Sequence, residues 1–304
     1  MILSHPPLRI ELIGSLAVKV VCYVLPSLGF LAFDIFLPSA ARGLKAYEED
    51  ALPFLNASRN RTIRLFRMVA WSILNVFLAT ALQTSIELLL TSVLGFRSGL
   101  RVTTSLPSPI TILKNLVQGY LLREVATYLI HRYVLHSSDR KNIAAKYHQA
   151  WYHDLEAPFP LSASYDHPLP YLLGRFLPTY LPAFLLRFHL LTYLIYLALI
   201  SLEETFAYSG YSTVPTNFIL GGIARRTDGH LVCGGEGNYG TLGLMDWVFG
   251  TSVGGDLGDD MRDEAEKHHA KERVQRKSSS ALTKGRDKVN GAVKRRAGRN
   301  RSGS

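Results

Sequence analysis

Cysteine is nearly absent from this chain: two in 304 residues, Cys22 inside an apolar run and Cys233 among glycines. That excludes a disulfide framework and a thiolate-held metal. Charge is missing over long stretches. Leu12 to Leu37 contains only Lys19 and Asp34, and Met68 to Leu94 only Glu87. A span needs about 20 predominantly apolar residues, so both stretches are read as membrane spans. The first is too long for a secretory h-region and has no small-residue cleavage pattern, so it is read as retained. The glycine-rich run Gly234 to Gly240 lacks the strand–helix setting of a phosphate-binding loop.

The basic excess is confined to one end. Residues 262 to 304 carry 14 Lys or Arg against 5 Asp or Glu, while the remaining residues are nearly neutral. Without interleaved aromatics or a recognition motif, this tail is not read as a nucleic-acid binder. Behind membrane spans, it fits a cytosolic segment touching anionic lipid.

Histidine is plentiful where it matters. His131, His136, His148, His153 and His167, five of the ten in the chain, follow one another directly behind the apolar run Ile110 to Leu135. Imidazole suits iron, zinc or copper rather than calcium or magnesium. Within that run, offsets of four and seven put Glu124, Tyr128 and His131 on one helical face. Glu124 is there either part of a site or a salt-bridged interface group. His148 and His153 are five apart, about 140° around an ideal helix. They can meet one ion only across a π-bulge or a helix end. Pro158 and Pro160 stop that helix, and Pro168 follows His167.

The run 171–208 decides the topology. At 1.5 Å per residue its thirty-eight residues reach only about 57 Å, marginal for two crossings. A shallow hairpin bending near Leu186 to Leu190 is expected, with His189 a turn residue. The hairpin returns His230 to the side of the other histidines. With the tail in the cytosol, loop 38–67 and its six basic residues fall there too, as the positive-inside bias asks. The sequons at Asn56 and Asn60 are then expected to be unused. The fold class expected is all-α: an integral membrane helical bundle with a cytosolic histidine-lined helical cap. Its parts would be residues 1–109 with the N-terminal membrane helices, 110–260 with the histidines and the hairpin 171–208, and a partly disordered basic tail at 261–304.

Several motifs recur in one order: Glu124-x3-Tyr128-x2-His131-Arg132, His153-x3-Ala157-Pro158-Phe159, Tyr165-x-His167-Pro168, Ser209-Gly210-Tyr211, and Gly237-Asn238-Tyr239-Gly240 through Asp246-Trp247 to Gly250-Thr251. From about Leu121 to Gly254 the chain thereby resembles the fatty acid hydroxylase / sterol desaturase superfamily. The resemblance implies a multi-pass enzyme of the endoplasmic reticulum membrane, with a histidine-bound di-iron centre and dioxygen. Cytochrome b5 or its reductase would supply electrons for hydroxylating or desaturating a sterol, fatty acyl or sphingoid lipid. The chain departs from that pattern in its boxes. His131 and His136 are one residue further apart than HxxxH, and Gln149 and Tyr152 stand where the second box has histidine. Tyr208 replaces the histidine of His-Ser-Gly-Tyr, and Arg226 to Leu231 keeps only His230 of the last box. Six candidate ligands remain, His131, His136, His148, His153, His167 and His230, with Glu124, Asp166 and Asp228 as carboxylates able to make up part of the deficit. Two irons, one iron, or a metal-free scaffold that binds lipid without catalysis are all compatible with that set.

Overall fold

The computed structural model describes residues 7–46, 52, 59–155, 157–211, 219–262 and 265–266. Among them the elements are helical: α1 (Pro7–Lys19), α2 (Leu25–Phe36), α3 (Pro38–Leu44), α4 (Arg59–Leu88), α5 (Pro109–Ile130), α6 (Ile143–Trp151), α7 (Pro168–Tyr171), α8 (Leu177–Leu185), α9 (Leu190–Ala207), α10 (Ile219–Val232) and α11 (Leu244–Phe249). No strand occurs among the described residues, only the isolated bridges Lys45–Tyr211 and Arg101–His189. This is an all-α membrane protein. Residues 1–257 form one compact unit and 258–304 a second, of which residues 258–262 and 265–266 are described, all helical. Asn56, His268, His269 and the tail beyond residue 266 lie outside the described residues.

Among the described residues, three helices are long and apolar enough to cross a membrane: Leu8–Phe36, Thr62–Val93 and Leu190–Ala207. The first joins α1 to α2 through a π-turn at Val20–Val24. Pro26 lies just beyond that turn and has no N–H to give the carbonyl four residues back, Cys22. Thr205 Oγ1 donates to that carbonyl instead, at 3.0 Å. The expected kink is thus absorbed by a π-turn and repaired from α9. α5, interrupted by Lys114, Arg123 and Glu124, is not among the three. It opens at Ser108, whose side chain accepts from Thr111 N–H, with Pro109 in the first turn, where a missing N–H costs nothing.

In lipid, helices associate through packing and interhelical hydrogen bonds rather than through the hydrophobic effect. Polar links of that kind tie the bundle together. Gln83 on α4 donates to Glu11 on α1 at 2.7 Å and accepts from Tyr193 on α9 at 2.8 Å. Glu87 accepts from Tyr180 on α8 at 2.8 Å. Arg123 on α5 grips Glu203 on α9 with two bonds, 2.9 and 3.1 Å, and Lys19 pairs with Glu204 at 2.9 Å. One buried cluster, including Phe176, Tyr180, Phe188, Tyr193 and Tyr196, lies between α5, α8 and α9. The other, with Tyr23, Met68, Phe159 and Ile223, meets the histidines through Tyr152, whose ring stacks on His148.

The chain turns between α8 and α9 at residues 186–189, where Arg187 takes a positive φ of 47° and His189 caps α9, its Nδ1 accepting from Leu191 N–H. That turn brings α10, and His230 with it, back to the histidines of α5 and α6. Packing of α9 on both α1 and α10 fixes the return.

Candidate metal centre

α5 does not end as an α-helix. Its last turn, His131–Leu135, is π-helical, and His136 N–H donates to His131 C=O across five residues at 2.9 Å. A π-turn absorbs one extra residue and stacks positions five apart. His131 and His136, one residue too far apart for an α-helical pair, therefore share a face. α6 solves the same problem differently. It stops at Trp151 and continues as a 3-10 turn, Tyr152–Asp154, so His148 and His153 turn towards each other instead of diverging.

Five imidazoles meet as a result. Ring centroids of His131, His136, His148, His153 and His230 lie 4.5 to 5.3 Å apart in eight pairs. One ring nitrogen each from His131, His136, His148 and His230 falls within 4.8 Å of the other three. His153 joins at the edge, its Nε2 standing 3.2 Å from that of His136. Two nitrogens sharing one ion at about 2.1 Å are separated by a similar distance.

The outer nitrogens show what the inner ones are for. His131 Nδ1–H donates to the Tyr239 carbonyl at 2.9 Å, and His230 Nδ1–H to the Gly237 carbonyl at 2.7 Å. A carbonyl can only accept, so both rings carry their proton on Nδ1 and a bare lone pair on Nε2. His148 Nδ1–H is held by Asp166 Oδ2 at 2.6 Å. The Nε2 atoms of His131, His148 and His230 are buried without any partner, as is Nδ1 of His153. A buried acceptor left unpaired costs about 1–3 kcal/mol, so the three Nε2 atoms gathered in one place are a poor packing solution and a good metal site. An outer hydrogen bond that orients each imidazole is the usual support of a metal ligand. Burial pushes His136, His148 and His153 down to about 3, and His230 well below its ordinary value, so the donors stay neutral. The residues present fit a transition-metal ion.

The carboxylates take supporting places. Asp166 orients His148 and accepts His167 N–H at 2.7 Å. Glu124 is buried against the loop before α11, accepting from the N–H groups of Leu242, Leu244 and Met245 at 2.7, 3.0 and 3.3 Å. It neither orients an imidazole nor offers an oxygen to the cluster. Asp228, 8% exposed, faces Lys45, which is itself paired with Asp34 at 2.7 Å. Burial lifts Asp228 to about 7.

His167 is brought elsewhere, although convergence with the others is expected from the sequence. Pro168 opens α7, which makes His167 its cap, and Nδ1 accepts from Leu169 N–H at 3.3 Å. The ring stacks on Tyr147 at 3.8 Å. Conversely, His136 and His148 enter the cluster despite their shifted spacing.

Sequence reasoning passes over the part played by residues 237–251. The Glu124, Tyr128 and His131 face of α5 looks onto this loop: Tyr128 stacks on Phe249 at 5.3 Å, and Asp246 accepts from Tyr239 and Gly240 N–H at 2.9 and 2.6 Å. A Cβ on Gly240 would lie 2.5 Å from Glu124 Oε1, so only glycine allows this approach. The loop's motif is visible in the sequence. That its backbone carbonyls hold two imidazoles is not, because every residue has a carbonyl.

Residues 116–251 match the fatty acid hydroxylase family. Among curated proteins the chain is similar to the very-long-chain aldehyde decarbonylase GL1-8 of rice (Oryza sativa subsp. indica), 34% identical over 53% of this chain and 61% of that protein. It is also similar to methylsterol monooxygenase 2-2 of Arabidopsis thaliana, 33% identical over 57% of this chain and 65% of the relative, and to methylsterol monooxygenase 1-1, 29% identical over 52% of each. The matches thus span less than two thirds of each of these relatives. No solved structure matches the chain significantly.

Proposed function

We propose that this chain is an iron-dependent membrane oxidoreductase that hydroxylates or desaturates a lipid. The observation that carries the reading is the set of buried, unpartnered Nε2 atoms of His131, His148 and His230, each ring fixed from behind by Tyr239, Asp166 or Gly237. His131, His136, His148, His153 and His230 would hold the ion. When bound, iron supplies dioxygen activation for attack on an unreactive C–H bond. The similarity to an aldehyde decarbonylase and to methylsterol monooxygenases supports a long-chain or sterol lipid as substrate.

The protein's own groups would position that lipid. A cavity beside the imidazoles is lined by Leu135, Ala163 and Pro170, which suit an alkyl surface, and by Thr241, Arg175 and Tyr208, which suit an oxygen-bearing end. Leu135, Ala163 and Tyr208, all buried, would keep water away from the reacting carbon. The chain would work in the endoplasmic reticulum membrane with the histidines on the cytosolic side, cytochrome b5 or its reductase as electron donor, and the basic tail on anionic lipid.

Iron analysis of the full chain purified from iron-replete cells tests this reading. Stoichiometric iron that is lost in His148→Ala and His230→Ala is expected. Near-zero iron in the unmodified protein would overturn it.

A further inference from the structure

The donor set also limits how many ions the centre can take. Among the described residues one group alone could hold a metal, and it consists of His131 and His136 at the π-turn that follows α5, His148 on α6 and His230 on α10. The four nitrogens within 4.8 Å of one another crowd a single point, and His153 reaches it through His136. No carboxylate bridges the cluster, since Asp166 gives its oxygens to His148 and to His167 N–H.

The rest of the adjoining cavity offers no second set of imidazoles: its one carboxylate, Asp166, is already bonded to His148 and His167, and Asn238 is bonded to Val253, which leaves hydroxyls and a guanidinium. Tyr152 lies flat against His148, ring planes 12° apart. Arg175 reaches in from the π-turn Leu172–Phe176, donates to the Tyr208 hydroxyl and lies over the Tyr208 ring at 4.7 Å. Arg175 and Tyr208 line the same cavity as His131, His148 and His230. A guanidinium stays protonated at any working pH, so it puts a permanent positive charge on that wall. A second dication there would meet repulsion from that guanidinium, with Asp166, the one carboxylate of the lining, already committed to His148 and His167 N–H.

We infer that the five imidazoles hold a single metal ion, and that the Arg175–Tyr208 pair closes the neighbouring space to a second. The inference rests on the metal-dependent reading above and fixes the nuclearity of that site. It makes Arg175 a fixed donor facing the ion across the cavity, placed to receive an oxygen-bearing ligand rather than another metal.

Counting ions tests it without reference to turnover. The full chain in detergent is loaded anaerobically with Fe(II), and separately with Co(II) as a spectroscopic probe, then desalted and analysed for metal. One equivalent per chain is expected, with a magnetically isolated Co(II) signal. Two equivalents, or a spin-coupled Co(II) pair, would overturn the inference and leave the proposed function standing. No bound metal would overturn both. One bound ion in a protein that oxidises no lipid would overturn the function and leave the stoichiometry intact. His153→Ala and His230→Ala, confirmed as folded by thermal unfolding, should each weaken Co(II) binding at least tenfold as a single transition. Loss of one ion with another kept at full affinity would also overturn the inference.

Discussion

Asp166 receives the Nδ1–H of His148 at 2.6 Å and contributes nothing else to the cluster. Removing such an orienting partner commonly lowers metal affinity 10- to 100-fold. Asp166→Ala should do this while leaving the chain folded, as a metal titration followed by thermal unfolding would show. Unchanged affinity would mean that His148 is held by packing alone. Gly235 makes a complementary test from the other side of the site. It adopts φ +90°, and a Cβ there would lie 2.3 Å from His136 Cε1 and 2.9 Å from His153 Cε1. Gly235→Ala should cost roughly 1–3 kcal/mol in backbone strain and displace both imidazoles, so that metal binding weakens more than Tm falls.

At the scale of elements the centre depends on where two helices stop being α-helical. The spacing of the histidines is legible in the sequence, and so is the need for a bulge or a helix end. Which device serves which pair is not, because a π-turn and an α-turn are built from the same residue types and differ by one hydrogen-bond step. His131–Leu135 takes the π-turn, while Trp151 and Tyr152 take the helix end. A deletion can test the π-turn. Without Tyr133, which is 57% exposed, the turn can close as an ordinary α-turn with His136 still above His131, and metal binding should survive. Inserting alanine after Tyr133 instead rotates His136 by about 100°, and metal content should collapse. Equal loss in both variants would contradict the account. His167 shows the opposite limit of sequence reading. Its place beside Pro168 matches the family pattern, yet that same proline makes it a helix cap with its ring on Tyr147. Glu124 shares its face of α5 with Tyr128 and His131, as the spacing predicts, but the partner of that face, the loop before α11 and its first turn, comes from about 120 residues away and no local pattern announces it.

For the whole molecule, the long apolar helices and the hairpin-like return between α8 and α9 follow from hydropathy and chain length, whereas the polar links inside the bundle depend on three-dimensional pairing. Arg123–Glu203 is the best connected of these links. Breaking one side of such a buried pair typically costs about 3–5 kcal/mol, while replacing both sides with apolar residues is often near neutral. Arg123→Leu should therefore lower Tm in detergent far more than Arg123→Leu with Glu203→Leu. A double variant as unstable as the single one would show that the pair itself stabilises the bundle. The proposed orientation makes a separate prediction: Asn56 and Asn60 carry no glycan in microsomes, and a mass shift removed by endoglycosidase would contradict it.

The central claim is that the imidazole cluster drives metal-dependent oxidation of a lipid. Its most direct test is lipid analysis of cells expressing the full chain or His230→Ala under ¹⁸O-labelled dioxygen, with both proteins confirmed as folded and present in membranes at equal amounts. The account predicts a labelled hydroxylated lipid, or a lipid with one more double bond, that the unmodified chain forms and the variant does not. Identical lipid profiles from the two would contradict it.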